Sequence, residues 1–380
     1  MIKKAIEKPT WYNLRCMSKD VKKQPICLTD LTDQALSDFV AELGQPAYRA
    51  KQLRHWLYKE LASSFEQMGN LPQALRAKLI KKAVVSCIDP VHELVSKDST
   101  IKVLFALLDG KTVEASVMQH PAGKGNNRYT VCVSTQAGCA IGCPFCATGQ
   151  QGFERNLTPG EIIDQVLYFT RRVRLNGGTE PDYAPNVVFM GMGEPLANYN
   201  ALMQAIETLN AGDGFNLGAR SMTVSTAGLV PKIERFAKEP RQVGLAVSLH
   251  AASDALRNML VPINKTYPLK RLMAVCNKYV ETTGRRITFE YILFGGLNDS
   301  IPQAVELATL LKGMNCHVNL IAANPVEGSR FKPPTHSTSL SFLSELERRH
   351  ISCTLRVSKG ADIGAGCGQL RSRVAGANKS

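Results

Sequence analysis

Val131-Cys132-Val133-Ser134-Thr135-Gln136-Ala137-Gly138-Cys139-Ala140-Ile141-Gly142-Cys143-Pro144-Phe145-Cys146 is the stretch on which the fold turns. A β-branched run reads as a strand and delivers the chain into a Gly- and Pro-bearing loop. That loop carries Cys139, Cys143 and Cys146 as C-x3-C-x2-C. Three sulfurs so close together are costly to keep reduced unless something is bound among them. The residues downstream of the loop show what kind of scaffold holds it.

There, strand text alternates with helical text. Strands read as Asn186–Met190, Met222–Thr226, Gly244–Leu249, Ile287–Leu293, Val318–Ile321 and Cys353–Val357. Helices lie between most of them, as at Ala201–Leu209, Ala304–Leu311 and Leu340–Arg349. Thr158-Pro159-Gly160-Glu161 is a capping box with proline at the first helical position. Such alternation predicts parallel β/α units, with functional residues at the C-terminal ends of strands. The unusual residues do come just after strands: Gly191–Pro195, Ser225–Gly228, Ser248-Leu249-His250 and Ala323-Asn324-Pro325.

Upstream, Leu36, Phe39, Val40 and Leu43 repeat with helical period, and further helices carry Leu53, Trp56 and Leu57, then Leu75, Leu79 and Ile80. Residues 1–82 hold 15 of the Lys and Arg residues and 8 of the Asp and Glu, against a whole-chain formal charge of +14. This concentration points to a polyanionic partner, with Arg49, Lys51, Arg54, Arg76, Lys78, Lys81 and Lys82 as candidate contacts. Ile101–Leu108 and Thr112–Met118 flank Asp109-Gly110, a hairpin signal.

The expected organisation is a basic extension over 1–27, a helical accessory unit that binds nucleic acid over 28–98 and a β-hairpin linker over 99–130. A partial barrel comes next over 131–362, then a Gly-rich tail over 363–380. No run of about 18 apolar residues suggests a membrane span, and the start lacks the h-region of a secretory signal. The 11 cysteines are odd in number, so a disulfide framework is not expected, and a reducing cytoplasm is.

Structural zinc wants four ligands, usually in two close pairs; the loop offers three, with no fourth at finger spacing. A [4Fe–4S] cubane bound by three cysteinates keeps one iron open. That is the arrangement in which S-adenosylmethionine (SAM) chelates a cluster and is cleaved by its electron. Gly193 lets backbone approach the amino-acid end of SAM, and Glu194 offers an acceptor to its ammonium. Ser225, Ser248, His250 and Asn324 are placed to meet ribose or adenine. Taken singly, each is also what a core or turn would use; His250 alone reads better as a satisfied core histidine.

With these residues in hand, the chain resembles the RlmN/Cfr-type radical-SAM RNA adenine methyltransferases. The resemblance runs from about Leu28 to Leu370. It rests on Arg49, Gln52, Trp56 and Tyr58, on Gln136–Ala140, Gly191–Pro195 and Ser248–Ala251, and on Ala365-Gly366-Cys367-Gly368-Gln369-Leu370. It implies a partial (β/α)6 barrel with an N-terminal helical RNA-binding domain. It implies two SAM molecules per turnover, one held by Gly193, Glu194, Ser225, Ser248, Leu249, His250 and Asn324. It implies that Cys367 carries a methyl group as S-methylcysteine, that the methyl loses hydrogen to a 5′-deoxyadenosyl radical and adds to adenine, and that Cys132 resolves the protein–RNA adduct through a disulfide with Cys367.

Glu114 matches a glutamate that accepts a proton. The implied partners are 23S rRNA, tRNA and a flavodoxin or ferredoxin as electron donor. Glu194-Pro195, Thr226-Ala227-Gly228 and His250-Ala251 resemble the branch that methylates C2 of adenine rather than C8. A C8 methyltransferase and a non-catalytic zinc RNA-binding protein are the competing readings. Cys16, Cys27, Cys87, Cys276, Cys316 and Cys353 match nothing and read as structural thiols.

Overall fold

The computed structural model describes residues 25–121, 128–175, 184–324, 329–366 and 368–369. Two short strands, β1 (Ile26–Cys27) and β2 (Ala83–Val84), pair in parallel. A ten-stranded sheet organises the rest. Its strands are β3 (Ile88–Val95), β4 (Ile101–Leu107), β5 (Thr112–His120), β6 (Arg128–Cys132), β9 (Asn186–Phe189), β10 (Met222–Thr226), β11 (Gly244–Ser248), β12 (Ile287–Leu293), β13 (Cys316–Ala322) and β14 (Cys353–Arg356). Between β6 and β9 in the chain, β7 (Gln136–Gly138) and β8 (Phe153–Asn156) form a separate antiparallel ribbon.

From β6 to β14 every neighbouring pair in the large sheet is parallel, and helical segments connect successive strands. This gives six β/α units closed by a seventh strand, an α/β fold of partial-barrel type. β5, β4 and β3 extend the sheet antiparallel beyond β6. The expected hairpin forms around Asp109-Gly110, with Gly110 at φ +85 as such a turn requires. It is continuous with the barrel sheet rather than a linker beside it. β3 lies inside the range 28–98 that reads as helical; interrupted by Pro90 and a register shift between Pro90 and His92, it shows little alternation in sequence.

Three helices, Asp33–Glu42, Tyr48–Tyr58 and Gln73–Lys82, make up most of the N-terminal unit. The expected Leu36, Phe39, Val40, Leu53, Leu57, Leu75 and Leu79 are among their buried residues, whereas Trp56 is half-buried and Ile80 exposed. The helix Pro159–Leu175 opens with the predicted reciprocal cap: Glu161 N–H donates to Thr158 Oγ1 at 3.2 Å, and Thr158 N–H to Glu161 Oε2 at 2.9 Å. The main core runs through both units, from Leu28 to Ile351. No helix among the described residues is long and apolar enough to cross a membrane.

A buried polar network ties the N-terminal unit to this helix. Asp30 Oδ1 accepts Gly160 N–H at 2.7 Å. Asp164 Oδ2 accepts the Cys87 N–H at 2.8 Å, the Cys87 thiol at 3.2 Å and the Ser86 hydroxyl at 3.0 Å. Burial nevertheless pushes the Asp164 carboxyl up to about 6. A carboxyl with a raised folded pKa binds its proton more tightly folded than unfolded, so its contribution falls as pH rises from about 4 to about 6. The stability of the protein relative to Asp164→Asn is therefore expected to drop by on the order of 3 kcal/mol across that window and to level off above it. Urea midpoints of the two chains at pH 4, 5, 6 and 7 check this; a constant difference would refute it.

Candidate functional site

The three loop cysteines are brought to one place by close backbone packing. β7 turns at Gly138, φ +76, where a Cβ would overlap the Gly152 carbonyl of the return strand. Cys139 N–H donates to that same carbonyl at 2.8 Å, and Cys146 N–H donates to Cys143 O at 3.1 Å. All three thiols line one cavity of about 270 Å³ at the C-terminal ends of the strands. Cys132, at the end of β6 and opposite Ser116 of β5, lines it too.

Burial pushes the Cys139 thiol up to about 11 and the Cys143 thiol further. Thiolates there need a cation to hold them. Among the described residues, the trio of ligand atoms lying within 4.8 Å of one another is Cys27, Asp30 and Cys87, not the loop cysteines. The loop sulfurs are thus spread more widely than ligands of one zinc ion, while a multi-iron cluster presents its ligand sites further apart. The donor set fits three cysteinates on a cubane. Phe145, just before Cys146, packs edge-on against His250 at 5.2 Å and beside Phe294 at 5.3 Å.

Of the residues expected to hold SAM, Gly193, Glu194, Ser225, Ser248 and His250 line the cavity. Gly193 has φ +101 and sits so close to Gln136 that a Cβ would collide with its side chain. Glu194 is buried, accepting Ala227 N–H at 2.7 Å and Leu196 N–H at 3.1 Å, and burial raises its carboxyl to about 7. With a further hydrogen bond from the Thr226 side chain, it braces the loops after β9 and β10. His250 adopts φ +59, and its Nδ1 accepts Ile292 N–H at 3.1 Å, so Nε2 carries the hydrogen of the neutral ring. Burial and Arg257 hold its pKa down at about 3.

Leu249 does not line the cavity. It is fully buried in the main core, because strand geometry turns it away from its neighbours Ser248 and His250. Asn324 is also off the cavity wall; its amide packs against Gly366, where a Cβ would overlap it. Glu114 does not line the cavity either; it is buried in an ion pair with Lys102, 3.3 Å from Nζ to Oε1.

Cys367 lies outside the described residues, as does Cys16. Its neighbours Gly366 and Gly368 line the cavity, and Ala147 N–H, next to Cys146, donates to Gly368 O at 2.8 Å. The β3–β4 turn grips the start of this tail: Asp362 Oδ1 accepts the Ser96 hydroxyl at 2.5 Å and Asp98 Oδ2 accepts Gly360 N–H at 3.0 Å. Lys102 Nζ donates to Gly364 O at 3.2 Å.

Several of the N-terminal cations are committed to the fold. Arg54 is buried and paired with Asp33 and Asp213; Arg49, Arg76 and Lys78 bond to the carbonyls of Asn70, Glu66 and Leu43. Lys51, Lys81 and Lys82 are exposed.

Sequence reading overlooks Arg257 and Lys102. The signal for Lys102 is no more than a lysine inside an apolar strand. Arg257 is fully buried in the helix Asp254–Leu260. It donates to the carbonyls of Leu249 at 3.1 Å, Ala227 at 2.7 Å and Ser248 at 3.1 Å, and to Asn264 Oδ1 at 2.8 Å, joining the ends of β10 and β11. Arg257→Leu leaves four acceptors without a donor and is expected to cost about 3–5 kcal/mol. A urea midpoint unchanged from the parent chain would contradict that.

Comparison with known proteins bears on the same residues. A family model described as the ribosomal RNA large subunit methyltransferase N-terminal domain matches residues 26–85, and the radical SAM superfamily model matches residues 133–308. The chain is 47% identical over 352 residues to a probable dual-specificity RNA methyltransferase RlmN of Pelotomaculum thermopropionicum, covering 92% of each. It is 44% identical over 344 residues to the dual-specificity RNA methyltransferase RlmN of Anaeromyxobacter sp., covering 90% of each. The crystal structure of a radical SAM methyltransferase from Sphaerobacter thermophilus superposes with a TM-score of 0.87 at 49% identity, covering 91% of this chain and 99% of that one.

Proposed function

Because the chain belongs to the RlmN family of radical-SAM RNA methyltransferases, we propose that it methylates C2 of an adenine in 23S rRNA, and an adenine in some tRNAs, through a methyl group carried on Cys367. What supports this reading above all is a convergence. The two glycines beside Cys367 line the same cavity as Cys132 and the three loop cysteines.

Cys139, Cys143 and Cys146 would hold a [4Fe–4S] cluster, and Gly193, Glu194, Ser225, Ser248 and His250 would surround SAM. Leu249, off the cavity and bonded through both peptide groups to Glu290 and Arg257, only braces this end of the sheet, and Asn324 contributes by packing against the tail at Gly366. Bound together, cluster and SAM supply a one-electron cleavage of the sulfonium bond and the hydrogen abstraction that comes after it. C2 of adenine is electron-poor, so direct polar transfer of a methyl cation to it fails, and a protein-borne carbon avoids the difficulty.

In losing one electron, which the cluster would take back, and one proton, which Glu114 beside Lys102 takes, the adduct becomes closed-shell. Cys132 then attacks the Cys367 sulfur. The new S–S bond displaces the S–CH2 bond, whose electron pair and a proton complete the methyl group on the base. The disulfide is reduced before the next turnover.

The test is an anaerobic assay on protein-free 23S rRNA with a flavodoxin or ferredoxin as reductant, completed by mass spectrometry of the nucleosides. 2-Methyladenosine is the expected product. Finding 8-methyladenosine alone would replace the C2 reading with the C8 one. A colourless protein carrying zinc in place of about four irons would overturn both.

A further inference from the structure

Most buried or half-buried arginines here are occupied: Arg54, Arg155 and Arg172 make ion pairs, and Arg257 bonds to carbonyls. Three cations at the cavity mouth differ. Arg356, at the end of β14, and Lys359, three residues on, line the cavity. Arg128 opens β6 as the register partner of His120, which also lines it. Arg128 and Arg356 are exposed and Lys359 is half-buried.

Among the described residues, none of the three is within ion-pair distance of a carboxylate. The carboxylate at this end of the cavity, Glu290, is buried and takes its hydrogen bond from Asn319 Nδ2 at 2.7 Å; the Arg356 charge acts on it from beyond ion-pair distance. The positive field is felt nearby: burial first, then Lys359, Arg356 and Arg128, hold the His120 imidazole below its ordinary range. Between the cations stands Val357, an apolar side chain 84% exposed. Unpaired cations gathered around the opening of a reaction cavity, beside a bare apolar residue, form a surface for a polyanion that also presents flat apolar groups.

We infer that Arg128, Arg356 and Lys359 form a rim that grips the phosphodiester backbone of RNA on either side of the base entering the cavity. The inference rests on the RNA methyltransferase reading and adds a location. The basic N-terminal unit is not the sole electrostatic anchor; the backbone is held at the mouth itself, where a base must leave its stack to go in. Contacts of this kind position the RNA without reading its sequence.

The test is equilibrium binding of protein-free 23S rRNA fragments at a series of salt concentrations, without SAM or reductant. Arg128→Gln, Arg356→Gln and Lys359→Gln are each expected to lower the slope of log K against log salt by about 1, and the triple variant by about 3. The weakening should be the same for fragments with and without the target adenine. Iron content should match the parent chain, which separates loss of contact from loss of fold. Lys270→Gln with Lys312→Gln, exposed cations that do not line the cavity, should leave the slope alone. A triple variant that keeps the parental slope overturns the rim, as does a control pair that shifts it equally per charge removed. Nucleoside analysis reports the methylated carbon independently, so failure of that reading remains distinguishable from failure of this one.

Discussion

A Cys367→Ala chain is expected to purify with its full iron content, to bind SAM, and to transfer no methyl group to RNA. The expected loss is on the order of 10⁴-fold or more, the scale seen when a covalent catalytic group is removed. The cluster ligands lie 221 residues or more upstream, and the tail meets their loop at the Ala147–Gly368 hydrogen bond, a backbone contact that alanine at position 367 does not remove. Iron quantification and SAM binding measured beside RNA methylation separate the two roles. Full turnover by this chain would mean that the methyl group does not travel on the protein.

Cys132→Ser should fail at the other end of the reaction. A serine hydroxyl is a far weaker nucleophile towards sulfur than a thiolate, so the adduct should form and persist. On a denaturing gel the protein is expected to run as a covalent RNA conjugate, with less than about one methyl group released per chain. The double variant Cys132→Ser with Cys367→Ala should show no conjugate. If Cys132→Ser released product at the parental rate, some other group would have to resolve the adduct.

Much of this arrangement is legible in the sequence because the barrel rule is local. A strand running into a polar or glycine-rich break marks a strand end, and Gly193, Glu194, Ser225, Ser248 and His250 are found that way. Leu249 shows where the same reading is too coarse. It stands between two cavity residues, and the two-residue period of a strand sends it into the core. Lys102 and Arg257 are not legible because their partners are backbone carbonyls and a carboxylate brought near only by the fold; Gly364 is 262 residues from Lys102. Arg54 misleads for the same reason. On its helix it looks like a solvent-facing cation, yet it is buried against Asp213, 159 residues away. Burial of a charge depends on what packs over it, and local periodicity carries no record of that.

The grip of the β3–β4 turn on Gly360 and Asp362 has a consequence for the order in which the enzyme becomes competent. Chain synthesis delivers residues 360–369 only after all six β/α units, whereas the turn that receives them, Ser96–Thr100, emerges early. The acceptor for the tail is therefore finished long before the tail exists. A chain interrupted before residue 360 has nothing to seat on that turn. The hydrogen bonds between turn and tail span 262 and 266 residues, so they are among the last contacts that chain synthesis makes possible.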